Sequence, residues 1–290
     1  MNGSDRSGMV WPAGERLDRK NAHLRSLDGA EERLSLCRAD LLDYKSLCAA
    51  FTSCDGVFHV ASPLSDNDPE LMAVATEGTK NVINAAADTG VQRVVFTSSY
   101  GAVHMNPRRS PDQVVDESCW SDLEYCLQTK NFYCYAKTVA EKTAMEEASK
   151  RAIQLLVVVP SLTIGEILQP TLSLGIELLI VSYVKGTKKA YPNTVSGYVD
   201  VQDVARAHVL VYETPTAHGR YLCVGEVVHR SEFIRMMREL VPHYSNPFFY
   251  VHNFWSLGMK FTPLKESSHK TVVCLQAQGH IPMLSHKSAL

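Results

Sequence analysis

The sequence lacks the features that mark several classes of protein. Its 29 lysines and arginines nearly balance 31 aspartates and glutamates, so no charge excess favours binding to nucleic acid or to an anionic membrane. The longest apolar stretches, around 155–164 and 172–184, are interrupted by Pro160 and Glu177. Both are shorter than the roughly 18 residues of a membrane span. No charged segment followed by an apolar one opens the chain, and we therefore expect no secretion signal.

The cysteines also lack a pattern. All eight are scattered, without CxxC spacing or neighbouring histidines, which predicts reduced thiols in a cytoplasmic protein. Neither a disulfide framework nor a metal site is expected. Cys119, Cys126 and Cys134 lie near one another in the sequence, and we interpret them as buried or idle thiols. With 45% hydrophobic residues in 290, the chain is long enough for one large or two modest domains.

What the sequence does contain is an alternation of short apolar strands with helices. Strands are expected at 34–37, 56–61, 94–98 and 153–159, which predicts an α/β fold with a Rossmann-like parallel sheet. Residues 1–33 are expected to form an irregular lead-in, because the first nineteen hold no strand-like run. We predict a cofactor domain over 34–165, with 198–215 packing back on it, and a smaller mixed α/β substrate-binding lobe over 166–290.

The most informative stretch runs from residue 93 to residue 137. An apolar strand ends there in Thr97, Ser98 and Ser99, and the segment NFYCYAK over 131–137 carries Tyr133 and Lys137. On a helix predicted over 132–150, residues four apart project from one face. The solvated face of that helix is expected to hold its other charged residues, Glu141, Lys142, Glu146 and Glu147.

Tyr133 and Lys137 fit the chemistry of carbonyl reduction. A phenol with an ordinary pKa of about 10 is a poor acid, but a neighbouring ammonium lowers that pKa. Ser99 could hold a substrate carbonyl while Tyr133 protonates it, and hydride would come from a nicotinamide cofactor. Taken alone, such a pair is more often a packed aromatic and a solvated charge. The order of strand, Ser99 and YxxxK favours the functional interpretation.

Several segments together resemble a known family. The sequence is similar to the extended short-chain dehydrogenase/reductases, and most closely to the plant cinnamoyl-CoA reductase group related to dihydroflavonol reductases. NFYCYAK is the most specific of these segments, since it resembles the family's NWYCYGK with two conservative changes. The other segments that carry the resemblance are RADLLD (38–43), GVFHVASP (56–63), VQRVVFTSS (91–99), VVDESCWSD (114–122) and YVDVQDVARAH (198–208).

The resemblance implies NADPH-dependent reduction of a hydroxycinnamoyl-CoA thioester to its aldehyde, in phenylpropanoid and lignin metabolism. It implies that Ser99, Tyr133 and Lys137 are catalytic. It also implies a small-molecule substrate, a CoA thioester, with no nucleic-acid or membrane partner, in a monomer or weak homodimer. The residues implied to contact NADPH are Lys20, Asp40, Leu41, Ala61, Ser62, Pro63, Thr97, Tyr133, Lys137, Pro160 and Ser161.

The sequence departs from the family pattern in three places, one of which is a shorter and dissimilar stretch between residues 244 and 257. The family begins with a strand and a GxxGxxA turn whose amides receive the cofactor pyrophosphate, and this sequence has no such motif. A Rossmann-like sheet without its first strand, that is N-terminally truncated, is therefore expected. Residues 172–184 also lack the His and Lys pair that in typical members is assigned to CoA. Two alternatives remain open: a catalytically inactive remnant or partner-binding paralogue, and a reductase of a small aldehyde, ketone or dihydroflavonol.

Overall fold

The computed structural model describes residues 7–11, 21–62, 70–110, 113–185, 187, 190–241 and 261–281. The chain divides into two compact units, Met1–Pro160 with Ala207–Leu222 and Ser161–Arg206 with Cys223–Leu290. The domain limits expected from the sequence, and the role of 166–290 as a substrate lobe, stay predictions. Within the described ranges, no helix combines the length and the apolar character that crossing a membrane requires.

Strands and helices alternate through both units. The described strands are β1 (Ser7–Trp11), β2 (Leu34–Arg38), β3 (Gly56–His59), β4 (Arg93–Thr97), β5 (Gln154–Pro160), β6 (Leu162–Ile164), β7 (Val195–Asp200), β8 (Gly219–Cys223) and β9 (Glu226–His229). The described helices are α1 (Ala22–Arg25), α2 (Ala30–Arg33), α3 (Tyr44–Phe51), α4 (Glu70–Asp88), α5 (Leu123–Gln128), α6 (Phe132–Lys150), α7 (Leu174–Ile176), α8 (Ser182–Val184), α9 (Val201–Glu213), α10 (Arg230–Leu240) and α11 (Leu264–Ala277). A 3-10 turn covers Tyr100–Ala102, and a π turn over Glu177–Val181 connects α7 to α8.

The first unit contains the predicted parallel sheet. Strands β3, β4 and β5 run parallel, with Gly56 opposite Arg93 and Arg93 opposite Gln154, and β8 lies beyond β5. The α/β, Rossmann-like expectation is therefore confirmed. Strands β1 and β2 pair parallel with each other in a separate group. In the Rossmann order 3-2-1-4-5-6, β2 and β1 correspond to strands 3 and 2, and β3, β4 and β5 correspond to strands 4, 5 and 6, with β8 as a further strand beyond them. No described strand takes the place of strand 1.

The prediction of an irregular lead-in is wrong for the part of 1–33 that the structure describes. Residues 7–11 form β1, paired in register from Ser7 opposite Leu34 to Trp11 opposite Arg38, and residues 22–33 hold two helical turns. The sequence gives little local signal for this strand, because its apolar run is only three residues long. Its main-chain hydrogen bonds come from pairing with β2, and strand formation depends strongly on such neighbours.

The core of the first unit fixes the ends of β4 and β5. Val94 and Val157 on these strands are buried among side chains of α4 and α6, such as Ile83 and Ala144. Removing this apolar surface from water stabilises the sheet and places the carboxyl end of β4 beside α6. The residues that follow β4 are thereby held next to one face of that helix.

The second unit has its own mixed sheet and core. Strand β6 pairs parallel with β7, and β7 pairs antiparallel with β9. Tyr198 stacks on Phe233 with ring centroids 4.5 Å apart, among apolar side chains that include Ile180 and Leu275. Strands β6 and β9 and helix α5 were not expected from the sequence. They span only three to six residues, too few for a periodic pattern to identify them.

We expect Leu156→Ala to lower the free energy of unfolding by about 2–5 kcal/mol, because it opens a cavity in the fully buried middle of β5. Urea denaturation followed by circular dichroism measures the change. The matched control is Leu210→Ala on α9, a half-exposed leucine whose replacement should shift stability by no more than about 0.5 kcal/mol. Equal midpoints and slopes for the two variants would contradict the described core.

Candidate active site

Helix α6 begins at the motif that the sequence singled out. The side chain of Asn131 caps it by accepting a hydrogen bond from the Cys134 N–H at 3.1 Å. Such a cap satisfies an N–H group that the first helical turn leaves without a partner. The helix covers Phe132–Lys150, as predicted, so Tyr133 and Lys137 lie one turn apart on the same face.

Ser99 lies where β4 ends, within hydrogen-bonding distance of Tyr133. Its hydroxyl caps the turn over Tyr100–Ala102 by accepting from the Gly101 N–H at 3.0 Å. The Tyr133 hydroxyl donates to the same oxygen at 3.0 Å. The structure thus brings together two of the hydroxyls that the sequence assigned to carbonyl chemistry, and a backbone N–H fixes one of them.

Lys137 is almost completely buried, with 6% of its surface exposed. Its ammonium donates to the Thr97 carbonyl at 3.2 Å, so Thr97 joins the site through its main chain. The Thr97 hydroxyl instead lies 2.7 Å from Nε2 of His208. Burial lowers the pKa of Lys137 to about 8, against the opposing charge of Glu141, which raises it.

His59 is a site residue that the sequence reasoning missed. It is buried on β3, and its ring meets that of Phe96 edge-on at 5.3 Å between centroids. Burial, together with the charge of Lys137, lowers the pKa of His59 to about 3, so the imidazole is neutral beside the ammonium. Its position in GVFHVA gave one signal, since a histidine inside an apolar strand must be buried or at a strand edge.

Glu141 corrects the sequence interpretation of α6. It was assigned to the solvated face with Lys142 and Glu146, but it is fully buried, whereas those two are exposed. The spacing explains the difference, because Glu141 lies four residues after Lys137 and so belongs to the inward face. A buried carboxylate must be paired, and Glu141 is paired with Arg220.

The structure describes four of the residues predicted to contact the adenosine part of a cofactor, namely Asp40, Leu41, Ala61 and Ser62. After β2, an Asp40 carboxylate oxygen accepts the Leu42 N–H at 2.9 Å. Leu41 packs against Gly78 of α4, where an added Cβ would lie 2.9 Å from the leucine Cβ. Ala61 and Ser62 are half-buried directly after β3. Two further predicted contacts, Lys20 and Pro63, lie outside the described residues.

The last two predicted contacts lie at the end of β5. Pro160 ends that strand in a buried position, and Ser161 comes next along the chain. The Ser161 N–H donates to the Cys223 carbonyl at 3.1 Å, whereas its buried hydroxyl has no hydrogen-bond partner among the described residues. A buried hydroxyl without a partner is costly, and a bound ligand can supply the missing group. The described ranges contain no group of three or more His, Cys, Asp or Glu side chains that could hold a metal ion.

The sequence of this protein is similar to those of a known protein family. Residues 18–223 match the 3-beta hydroxysteroid dehydrogenase/isomerase family. The chain is 60% identical over 281 residues to cinnamoyl-CoA reductase 1 of Oryza sativa subsp. japonica, covering 92% of this chain and 82% of the relative. Identity to cinnamoyl-CoA reductase 1 of Petunia hybrida is 49% over 284 residues, covering 93% and 85%.

Among solved structures, vestitone reductase from alfalfa superposes with a TM-score of 0.80 at 27% identity, covering 95% of this chain and 92% of that one. Yeast methylglyoxal/isovaleraldehyde reductase shares the fold, with a TM-score of 0.78 at 23% identity over 94% and 92% of the two chains. The chain therefore belongs to the 3-beta hydroxysteroid dehydrogenase/isomerase family, and within it to the group of extended short-chain reductases that includes the plant cinnamoyl-CoA reductases.

Proposed function

We propose that this protein reduces a hydroxycinnamoyl-CoA thioester to its aldehyde with NADPH. The observation that carries this proposal is the 3.0 Å contact between the Tyr133 hydroxyl and Ser99 Oγ, with Lys137 buried one turn further along the helix. Two hydroxyls and an ammonium in this arrangement can polarise and protonate a carbonyl oxygen. The names of the relatives from rice and petunia support a CoA thioester as the substrate.

The residues present fit the nicotinamide end of the cofactor. Ser62, Ser99 and Ser161 follow three parallel strands, β3, β4 and β5, and ligands bind at the carboxyl ends of such strands. The unpartnered Ser161 hydroxyl is what a ligand group would satisfy. Tyr133 and Lys137 would hold the nicotinamide ribose, Pro160 and Ser161 the nicotinamide, and Ala61 and Ser62 the adenosine side. NADPH supplies the hydride when it is bound.

The hydroxyls of Ser99 and Tyr133 would bind and protonate the carbonyl oxygen of the substrate. Ser99 Oγ accepts hydrogen bonds from Gly101 and Tyr133, so its own hydrogen can be donated to the carbonyl oxygen. Tyr133 then protonates that oxygen, and the Lys137 ammonium stabilises the phenolate that remains. For a thioester the product is a hemithioacetal, which collapses to the aldehyde and free CoA.

A second candidate function is reduction of a small aldehyde, ketone or dihydroflavonol. It is favoured by the segment Leu174–Val184, which has neither a histidine nor a lysine and places Ile180 and Val181 in the apolar core of the second unit. A third candidate, a paralogue that binds a partner without catalysis, is favoured by the lack of a GxxGxxA turn in the sequence. Turnover of any carbonyl substrate with NADPH would exclude this last candidate.

We also propose that the protein works in the cytoplasm as a monomer or weak homodimer. All eight cysteines are free thiols, which suits a reducing compartment. Size-exclusion chromatography with light scattering would test the oligomeric state.

The proposed function is tested by following NADPH consumption with feruloyl-CoA, a dihydroflavonol and small aldehydes. We expect the wild-type protein to turn over the thioester, and Tyr133→Phe to reduce kcat at least about 100-fold because the proton donor is gone. Calorimetry should show that this variant still binds NADPH. Turnover of small carbonyls alone would favour the second candidate, and unchanged kcat in Tyr133→Phe would rule out the mechanism.

Gly101 leaves little room beside the reacting hydroxyls. A Cβ at this position would lie 3.2 Å from Cε1 of Tyr133 and 3.4 Å from Ser99 Oγ. We expect Gly101→Ala to lower kcat roughly tenfold by displacing the phenol by a few tenths of an ångström. The matched control is Gly175→Ala, where nothing lies within 4 Å of the added methyl group and kcat should not change. Equal kcat values for both variants would contradict the described site.

The lowered pKa of Lys137 predicts an alkaline limit to activity. Because the folded protein holds this pKa at about 8, the ammonium is present below that pH and is lost as pH rises through it. We expect kcat/KM for reduction to fall above about pH 8. In Lys137→Arg the guanidinium stays charged. The alkaline limb of the pH profile, that is the fall of kcat/KM at high pH, should therefore move to higher pH even if the maximal rate is lower. A wild-type profile that is flat to pH 9.5 would be inconsistent with the prediction.

A further inference from the structure

Helix α6 carries a third ionisable side chain, that of Glu141, on the face that holds Tyr133 and Lys137. Glu141 follows Lys137 by four residues, so the three side chains succeed one another at intervals of about one helical turn. Glu141 is fully buried. An ionised carboxylate is expensive to bury, and it persists only where other groups compensate its charge and its hydrogen-bonding capacity.

The partners of Glu141 connect it directly to the site. One carboxylate oxygen accepts a short hydrogen bond from the hydroxyl of Ser98, the residue before Ser99. The other oxygen accepts from Nε of Arg220 at 2.5 Å, while Nη2 of the same guanidinium lies 3.4 Å from the first. The forked contact fixes the orientation of the carboxylate as well as its charge.

Arg220 is itself held from several directions. Its Nη1 donates to the carbonyls of Glu117 and Cys119, at 2.5 and 2.8 Å, and its guanidinium carbon lies 3.8 Å from the centroid of the Trp120 ring. The Glu117 carboxylate in turn accepts the N–H of Leu222 at 3.0 Å. These contacts tie the loop before α5 to strand β8, so the guanidinium has no freedom to leave Glu141.

We propose that the buried Glu141–Arg220 pair is the positioning device of the active site, an inference that rests on the proposed function. Through Ser98 it fixes the end of β4 and therefore the distance between Ser99 Oγ and the Tyr133 hydroxyl. Through its negative charge it keeps Lys137 protonated despite burial. Neither Glu141 nor Arg220 needs to touch substrate or cofactor for this role.

The charges around Lys137 are consistent with the second part of the proposal. Burial lowers the pKa of Lys137 to about 8, and the charge of Glu141 acts against that shift. On the side of β3, His59 is neutral because burial and the ammonium lower its pKa to about 3. Tyr133 lies on the same face of α6, and Arg220 on β8 neutralises Glu141 in part.

The proposal is tested with three variants that separate position from charge. Glu141→Gln removes the negative charge and keeps the size of the side chain. Ser98→Ala removes the hydrogen bond from Ser98 to Glu141 and keeps the ion pair. Arg220→Lys keeps a positive charge but cannot contact both carboxylate oxygens as the guanidinium does. Arg151→Gln is the matched control, because Arg151 also binds a carboxylate, that of Asp88, but in a partly exposed pair. We expect this control to keep wild-type kcat and pH profile.

The expected results differ between the variants. Glu141→Gln should lower kcat roughly tenfold and move the alkaline limb to lower pH by roughly half a pH unit or more, because Lys137 loses its supporting charge. Ser98→Ala should lower kcat several-fold with the alkaline limb unchanged. Arg220→Lys should retain more activity than Glu141→Gln. A folded Glu141→Gln with wild-type kcat and pH profile overturns the proposal, as does wild-type kcat in Ser98→Ala if Glu141→Gln does not fold.

A readout without substrate separates this proposal from the proposed function. The titration of Lys137 can be followed by NMR in protein with isotopically labelled lysine, with the signal assigned by its absence in Lys137→Arg. If Glu141→Gln lowers the pKa of Lys137 while no variant turns over feruloyl-CoA, the electrostatic part stands and the proposed substrate fails. An unchanged pKa in a folded Glu141→Gln overturns the electrostatic part even where the thioester is a substrate.

Discussion

Burial of the Lys137 ammonium is the constraint on which the rest of the site depends. A cation out of water is tolerated only where oxygen atoms and negative charge replace the solvent, and here the Thr97 carbonyl and Glu141 do so. Both require α6 to lie close to the end of β4. The same helix also buries the small side chains of Ala144 and Ala148 in the core of the first unit. The position of the ammonium therefore depends on the contact between α6 and the residue that ends β4, Thr97.

Much of the first unit could be predicted from the sequence because its signals are local. Alternating apolar strands and helices identified the parallel sheet, and the YxxxK segment identified a helix over 132–150, the limits that α6 has. What could not be predicted depends on partners distant in the sequence. Strand β1 exists through its pairing with β2, and the burial of Glu141 depends on Arg220, 79 residues away. The Ser99–Tyr133 distance likewise follows from packing, which no spacing rule encodes.

The alternation of burial along β3 shows how the sheet is arranged on that side. Val57 and His59 are buried, whereas Phe58 and Val60 are 43% and 59% exposed. Strands inside a parallel sheet are usually covered on both faces, so this pattern is typical of a strand at an edge. It agrees with β4 as the single described neighbour of β3. The nicotinamide end of the proposed site is thus better supported by the fold than the end where a pyrophosphate would lie.

The path of the chain separates Glu141 and Arg220 in the order in which they are synthesised. The chain leaves the first unit at Pro160 and returns to it with Ala207–Leu222, so Arg220 leaves the ribosome after the first segment of the second unit, Ser161–Arg206. Until then Glu141 lacks its ion-pair partner, and a buried charge without such a partner opposes compaction. If the pair positions the active site as proposed, the reacting hydroxyls reach their final geometry only after residue 220 has left the ribosome. No single cut in the gene would separate a first unit with its sheet complete.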